Sequence, residues 1–255
     1  MATHFTREDE FALITLDRPE ALNALSFEVV AAIEGYIDEA AASDARALII
    51  TGAGNRAFCA GADISELMGR TIEEEKAGAE RGQRSFAKLD TLPIPSLALI
   101  NGYALGGGLE LAMACTFRVC VPKARLGLPE IKLGLIPGYG GTQRLPRIVG
   151  ETRALELIMS GRMVEAEEAL SIGLVSRILG DAALEEAKDF MRQFTTFGLP
   201  ALRFAREAVR RAGTTTLAEG FAIEADLNTL AFQTEDAAEG TAAFLEKRQA
   251  DFKDR

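Results

Sequence analysis

The chain has no tryptophan, one histidine and three cysteines in 255 residues, and each shortage removes a kind of chemistry. With His4 alone, close to the start, a Ser-His-Asp triad or a histidine-built metal centre has no material to work with. His4 is expected in a frayed terminal segment. Cys59, Cys115 and Cys120 include no Cys-x-x-Cys pair, so they read as reduced, buried thiols. Basic residues are also in deficit, 28 Lys and Arg against 38 Asp and Glu, for a formal net charge of −10. That sign argues against nucleic acid, whose phosphates need concentrated cations. An anionic ligand would need a local basic patch. No apolar run is long enough to span a bilayer, and Met1-Ala2-Thr3-His4 opens no basic-then-apolar leader. The expectation is a soluble, cytoplasmic protein with no membrane or nucleic-acid partner and no metal. Its acid–base chemistry must fall to carboxylates, lysines or tyrosines.

What is present is a 48% hydrophobic composition, enough at this length for a sizeable core. Phe11 to Asp17 reads as a strand, and Ser26 as the N-cap of a helix running to about Ala42. Val29, Val30, Ile33, Ile37 and Ala40 recur on one face of that helix. Ala47 to Thr51 is short and continuously apolar, which suits a strand buried on both faces. Residues 52–64 then form a glycine- and alanine-rich connection with too little side chain to build a core. A charged surface helix over Ile72 to Asp90 is closed off by Pro93 and Pro95. Strands are expected over Ser96 to Ile100, Thr116 to Val121 and Leu174 to Ile178. Beyond Gly150 the remaining segments read as helices: 152–160, 166–170, 182–194, 200–211 and 217–234, then a charged helix and polar tail from Glu235. This divides the chain into a core over residues 1–190 and a helical part over 191–255, with no repeat at fixed period.

The richest stretch is Asn101-Gly102-Tyr103-Ala104-Leu105-Gly106-Gly107-Gly108-Leu109-Glu110, expected to pass from an apolar strand through three glycines into a helix. Amides in a helix's first turn lack intrahelical partners, and the helix dipole favours negative charge there. Glu110 would sit in that turn. From these residues alone, a buried turn with a solvated glutamate remains the alternative. A second glycine-rich loop, Gly134 to Arg144, has the spacing of neither a P-loop nor a dinucleotide turn.

Taken together, Ala57-Phe58-Cys59-Ala60-Gly61-Ala62-Asp63-Ile64, the Asn101–Glu110 stretch, Leu128-Pro129-Glu130 and Gly134-Leu135-Ile136-Pro137-Gly138 resemble the enoyl-CoA hydratase/isomerase (crotonase) superfamily, short-chain enoyl-CoA hydratases most of all. The likeness runs from Asp17-Arg18-Pro19 to Phe244-Leu245-Glu246-Lys247-Arg248. It implies an α/β fold, a crotonase-like spiral of ββα units with a C-terminal helical region that makes trimers or hexamers. It also implies an acyl-CoA thioester substrate, with coenzyme A belonging to the substrate and no separate cofactor.

By matching position, the resemblance makes the Ala62 and Gly107 N–H groups an oxyanion hole. Glu110 and Glu130 become the acid–base pair, with Gly138 N–H as a further anchor for the attacking water. Tyr139 and Leu109, with Leu67 and Met68, border the acyl pocket, though an apolar residue there serves core packing equally well. Asp63 and Ile64 follow in the same loop, and Ala60 offers its carbonyl to the adenine. For the CoA phosphates the resemblance leaves Lys247. Lysines frequent in the family are replaced here by Glu20 and Ser65, with Arg18 as the compensating cation. Paired glutamates favour hydration over the isomerase or decarboxylase branches, and their retention disfavours a non-catalytic scaffold.

Overall fold

The computed structural model describes residues 2–255. The chain opens with an antiparallel pair, β1 (Thr3–Glu8) and β2 (Phe11–Leu16), and then α1 (Phe27–Ala42), whose first turn is capped by Ser26 accepting from Val29 N–H. The expected face of α1, from Val29 to Ala40, is the buried one. Three related units follow. In each, a strand of one sheet leads into a short strand of another and then into helical structure. They are β3 (Ala47–Gly52), β4 (Ala57–Cys59) and α2 (Ile72–Thr91), then β5 (Ser96–Ile100), β6 (Tyr103–Leu105) and α3 (Gly107–Ala114). The third is β7 (Phe117–Cys120), β8 (Arg125–Gly127) and a 3₁₀ turn over Glu130–Leu133.

The remainder is α4 (Gly141–Val149), α5 (Glu151–Ser160), β9 (Met163–Glu165), α6 (Ala166–Ser171) and β10 (Arg177–Ile178), then α7 (Ala183–Thr195), α8 (Leu199–Arg211), α9 (Leu217–Phe232) and α10 (Glu235–Glu246). The six-stranded sheet has the order β1-β2-β3-β5-β7-β10, and the four-stranded sheet β4-β6-β8-β9. Since β3, β5 and β7 lie side by side in parallel, and β4, β6 and β8 do the same, the units wind as a spiral.

The apolar strands are covered on both faces, as their composition requires. Leu48, Ile50, Ala98 and Ile100 point into the main core with α1 and α3, while Ala47, Ile49, Leu97 and Leu99 face α7. On that second side Phe117 stacks on Phe194 at 4.5 Å and meets Phe190 edge-on at 5.6 Å. Residue 190 lies inside α7, within this smaller core.

Several local expectations are corrected. The terminus is no frayed segment: β1 pairs with β2 along its length, and His4 Nε2 lies 2.8 Å from Asp17 Oδ2. Its alternation was hidden because only Thr3 of the strand is buried. Residues 52–64 contain the fully buried β4, and the passage from β5 to the glycines is interrupted by a turn and β6. The strand expected over 174–178 shrinks to Arg177–Ile178, and the second glycine loop gives way to α4 at Gly141. Among the described residues, no helix is long and apolar enough to cross a membrane.

Candidate active site

Two glycines fix where α3 begins. Gly106 adopts φ 50° and ψ −127°, a conformation costly for any side chain, and its N–H donates to Gly127 O in β8 at 2.9 Å. Gly108 lies so close to β4 that a β-carbon would fall 2.2 Å from Cys59 O. The result is a helix start pressed between two strands of the small sheet, with Glu110 in its first turn. Its carboxylate is buried, 2% exposed. Oε1 accepts from Gly141 N–H at 2.7 Å and Tyr139 N–H at 2.8 Å. Burial drives the Glu110 pKa up to about 7; the Gly141 N–H opposes this, and the nearby charge of Glu130 adds to it.

Glu130 comes from a separate segment, the 3₁₀ turn that follows β8 and Pro129. Its Oε2 is buried and has no hydrogen-bond partner, and burial raises its pKa as well. An unpaired buried carboxyl oxygen is costly in a folded protein. Beside a second carboxyl of raised pKa, it gives two acids that can divide one proton and hold a polar molecule between them.

The amides lie next to this pair. Leu25 N–H donates to Gly61 O at 2.8 Å, and Asp63 N–H donates to Leu25 O at 2.9 Å. This parallel bridge turns the intervening N–H of Ala62 away from Leu25. Gly61 rests on the start of α3, where a β-carbon would lie 3.8 Å from Gly107 N. Ala62 N–H and Gly107 N–H have no partner among the hydrogen bonds of the described residues. Two free amides from adjoining loops suit an oxygen that gains negative charge during a reaction.

Several residues that sequence reasoning left without a role hold this arrangement. Asn23 is 2% exposed in the left-handed region (φ 59°). Its Nδ2 donates to Ala57 O (2.8 Å) and Ala53 O (3.1 Å), and its Oδ1 accepts from Arg18 N–H (2.9 Å). Removing it would strand buried carbonyls at about 1–3 kcal/mol each. Arg144 grips Asp90 with both guanidinium nitrogens, at 2.9 and 2.7 Å, and its N–H donates to Gly140 O, fixing the loop that presents Gly141. The only sequence signal for either was its place within the span from Asp17 to Arg248 that carries the resemblance.

The remaining candidates divide by exposure. Leu109 is 1% exposed and packs in the main core. Leu67 and Ala60 are half-buried, whereas Ile64 and Met68 are 50% and 78% exposed. Gly138 accepts from Gln83 Nε2 through its carbonyl, and its N–H has no partner among the described bonds. Arg18 is committed to Asp63 Oδ2 (3.1 Å) and Ala24 O (3.2 Å), while Asp63 Oδ1 also takes the Ser65 hydroxyl. Lys247 ends α10 with φ 57°, and among the described residues no hydrogen bond or ion pair ties it to the loops carrying the glutamates.

Comparison with known proteins returns one family. The family model described as enoyl-CoA hydratase/isomerase matches residues 6–255. The chain is 44% identical to a putative enoyl-CoA hydratase/isomerase of Bacillus subtilis, across 97% of this chain and 96% of that protein. It is 39% identical to a crotonyl-CoA hydratase of Syntrophomonas wolfei, across 96% and 95%. Among solved structures, an enoyl-CoA hydratase from Bacillus anthracis superposes with a TM-score of 0.95 at 36% identity, each chain covered in full.

Proposed function

The chain belongs to the enoyl-CoA hydratase/isomerase family, and we propose that it adds water reversibly across the double bond of a 2-trans-enoyl-CoA to give the 3-hydroxyacyl-CoA. The observation that carries this reading is the meeting, at the start of α3, of two carboxyls of raised pKa, the buried Glu110 and the half-buried Glu130 whose Oε2 lacks a partner.

The thioester carbonyl oxygen accepts from Ala62 N–H and Gly107 N–H. Water lies between the glutamates, with Gly138 N–H as a third contact. Glu110, ionised and held by two amides, takes a proton as the water oxygen attacks C3. Glu130 delivers a proton to C2, giving syn addition with no net change in oxidation state. The two amides stabilise the enolate-like charge, and losing one such donor typically costs about 3 kcal/mol. Water addition of this kind calls on proton transfers alone, so coenzyme A enters only as part of the substrate.

The C-terminal helices support assembly into a homotrimer, or a hexamer built as a dimer of trimers. Leu217, Phe221, Phe232, Phe244 and Leu245 are all more than 60% exposed on α9 and α10, more apolar surface than a lone chain ordinarily leaves in water. Lys247 lies at the end of the same region, where a neighbour's CoA phosphates could be met. The reading places the enzyme in the cytoplasm with its acyl-CoA substrate.

The test is an absorbance assay on crotonyl-CoA run beside a 3-enoyl-CoA. Loss of the conjugated thioester band from the first supports hydration. Growth of that band from the second, with the first inert, replaces the reading by isomerisation, and silence in both removes catalysis.

A further inference from the structure

The ring of Tyr139 is wedged between two helices at positions where neither carries a side chain. A β-carbon on Gly82 of α2 would lie 2.3 Å from Tyr139 Cδ1, and one on Gly107 of α3 would lie 3.2 Å from Cδ2. The ring therefore bridges α2 and the residue whose amide is proposed to hold the thioester oxygen. It is also fixed in place. Phe86 meets it edge-on at 5.6 Å, and its own backbone N–H is bonded to Glu110.

Bordering the ring is a cavity of about 1570 Å³ between α2, α4 and α8, whose lining is mostly apolar, with Ala79, Ala87, Met113, Ile148 and Leu202, and also carries Asp90 and six arginines. Of the candidate site residues only Gly138 and Tyr139 border it; Glu110, Glu130, Ala62 and Gly107 do not. Tyr139 thus touches both the residue at the start of α3 and the edge of a space large enough for a long acyl chain.

We propose that Tyr139 is the stopper of the acyl site: its ring, seated on Gly82, closes the chamber from the cavity and confines the enzyme to short-chain 2-enoyl thioesters. This rests on the hydratase reading for the identity of the ligand. Gly82 is the enabling residue, because any side chain there would collide with the ring. Since the barrier is the ring and not the phenol oxygen, Tyr139→Phe preserves it. Tyr139→Ala opens it, and each methylene that then enters the apolar cavity adds to binding.

The test compares the affinities of the unreactive thioesters butyryl-CoA and decanoyl-CoA for the wild type, Tyr139→Phe, Tyr139→Ala and Tyr139→Leu, with crotonyl-CoA hydration measured alongside. The wild type and Tyr139→Phe should favour butyryl-CoA. Tyr139→Ala should shift the decanoyl-to-butyryl affinity ratio upward by about tenfold or more, with Tyr139→Leu intermediate and serving if the alanine variant does not fold. Equal ratios in all folded variants, or a wild type that already favours decanoyl-CoA, overturn the stopper. A shifted ratio with no hydration of crotonyl-CoA upholds the stopper and overturns the hydratase reading alone.

Discussion

The carboxylate of Glu130 rests against Gly106: a β-carbon at Gly106 would fall 2.9 Å from Glu130 Oε1. The residue that starts the helix carrying Glu110 is therefore also the surface on which Glu130 lies, so a change at Gly106 reaches both acids. Gly106→Ala would force a methyl into that contact and hold alanine at φ 50°, a strain of about 1–3 kcal/mol. The expected outcome is a folded protein whose kcat for crotonyl-CoA falls roughly a hundredfold, with a smaller change in KM. Steady-state kinetics with a thermal melt check this; unchanged kcat would separate Glu130 from the reaction.

The raised pKa of Glu110 has two consequences that one variant can expose. As general base it must be ionised, so hydration should climb as pH rises through about 7. Glu110→Gln should lose that limb together with roughly a hundredfold or more of the rate. The stability sign is opposite. The folded state keeps the Glu110 proton to a higher pH than the unfolded chain does, so this group costs stability as pH rises from the ordinary carboxylate value of 4.5 through about 7. At pH 8 the cost is about 3 kcal/mol. Urea unfolding should find Glu110→Gln more stable than the wild type at pH 8, with the gain gone by about pH 4, below the unfolded value.

How much of this was legible in the sequence depended on length. Continuous runs such as Leu48 to Ile50, buried at 0% exposure on both faces, announced their strands, and the one-sided pattern of α1 announced its packing. The three-residue strands β4, β6, β8 and β9 are too short to display a period, so the second sheet, and with it the repeating unit, stayed hidden. Glu110 and Glu130 were legible through their motifs. Tyr139 against Gly82 was not, because the fit belongs to two distant segments whose meeting only the fold decides.

The ion pair between Arg18 and Asp63, 3.1 Å apart, ties the turn after β2 to the loop bearing the Ala62 amide. Both side chains are partly buried, and Asp63 is held below the usual carboxylate range by the Ser65 hydroxyl first and Arg18 second. Breaking either partner should loosen Ala62 more than it unfolds the protein. Arg18→Ala and Asp63→Asn should each lower kcat/KM about tenfold, and the double variant should do little worse than either alone. Fully additive losses would mean that the two residues act separately.

Because Arg18 is already engaged by Asp63 and Ala24 O, it is poorly placed to offset the exposed Glu20, two residues on, where the family often has lysine. Glu20 sits in the Pro19–Ala21 turn beside that loop, and Ser65 is spent on Asp63. If the nucleotide end of CoA passes this turn, the wild type should discriminate weakly between CoA and dephospho-CoA. Glu20→Lys should tighten CoA about threefold at low salt while leaving dephospho-CoA nearly unaffected, and the gain should fade as ionic strength rises. Calorimetric titration of both ligands at two salt concentrations decides the matter. A wild type that already binds CoA far more tightly than dephospho-CoA would place the 3′-phosphate on another cation, with Lys247 as the first to substitute.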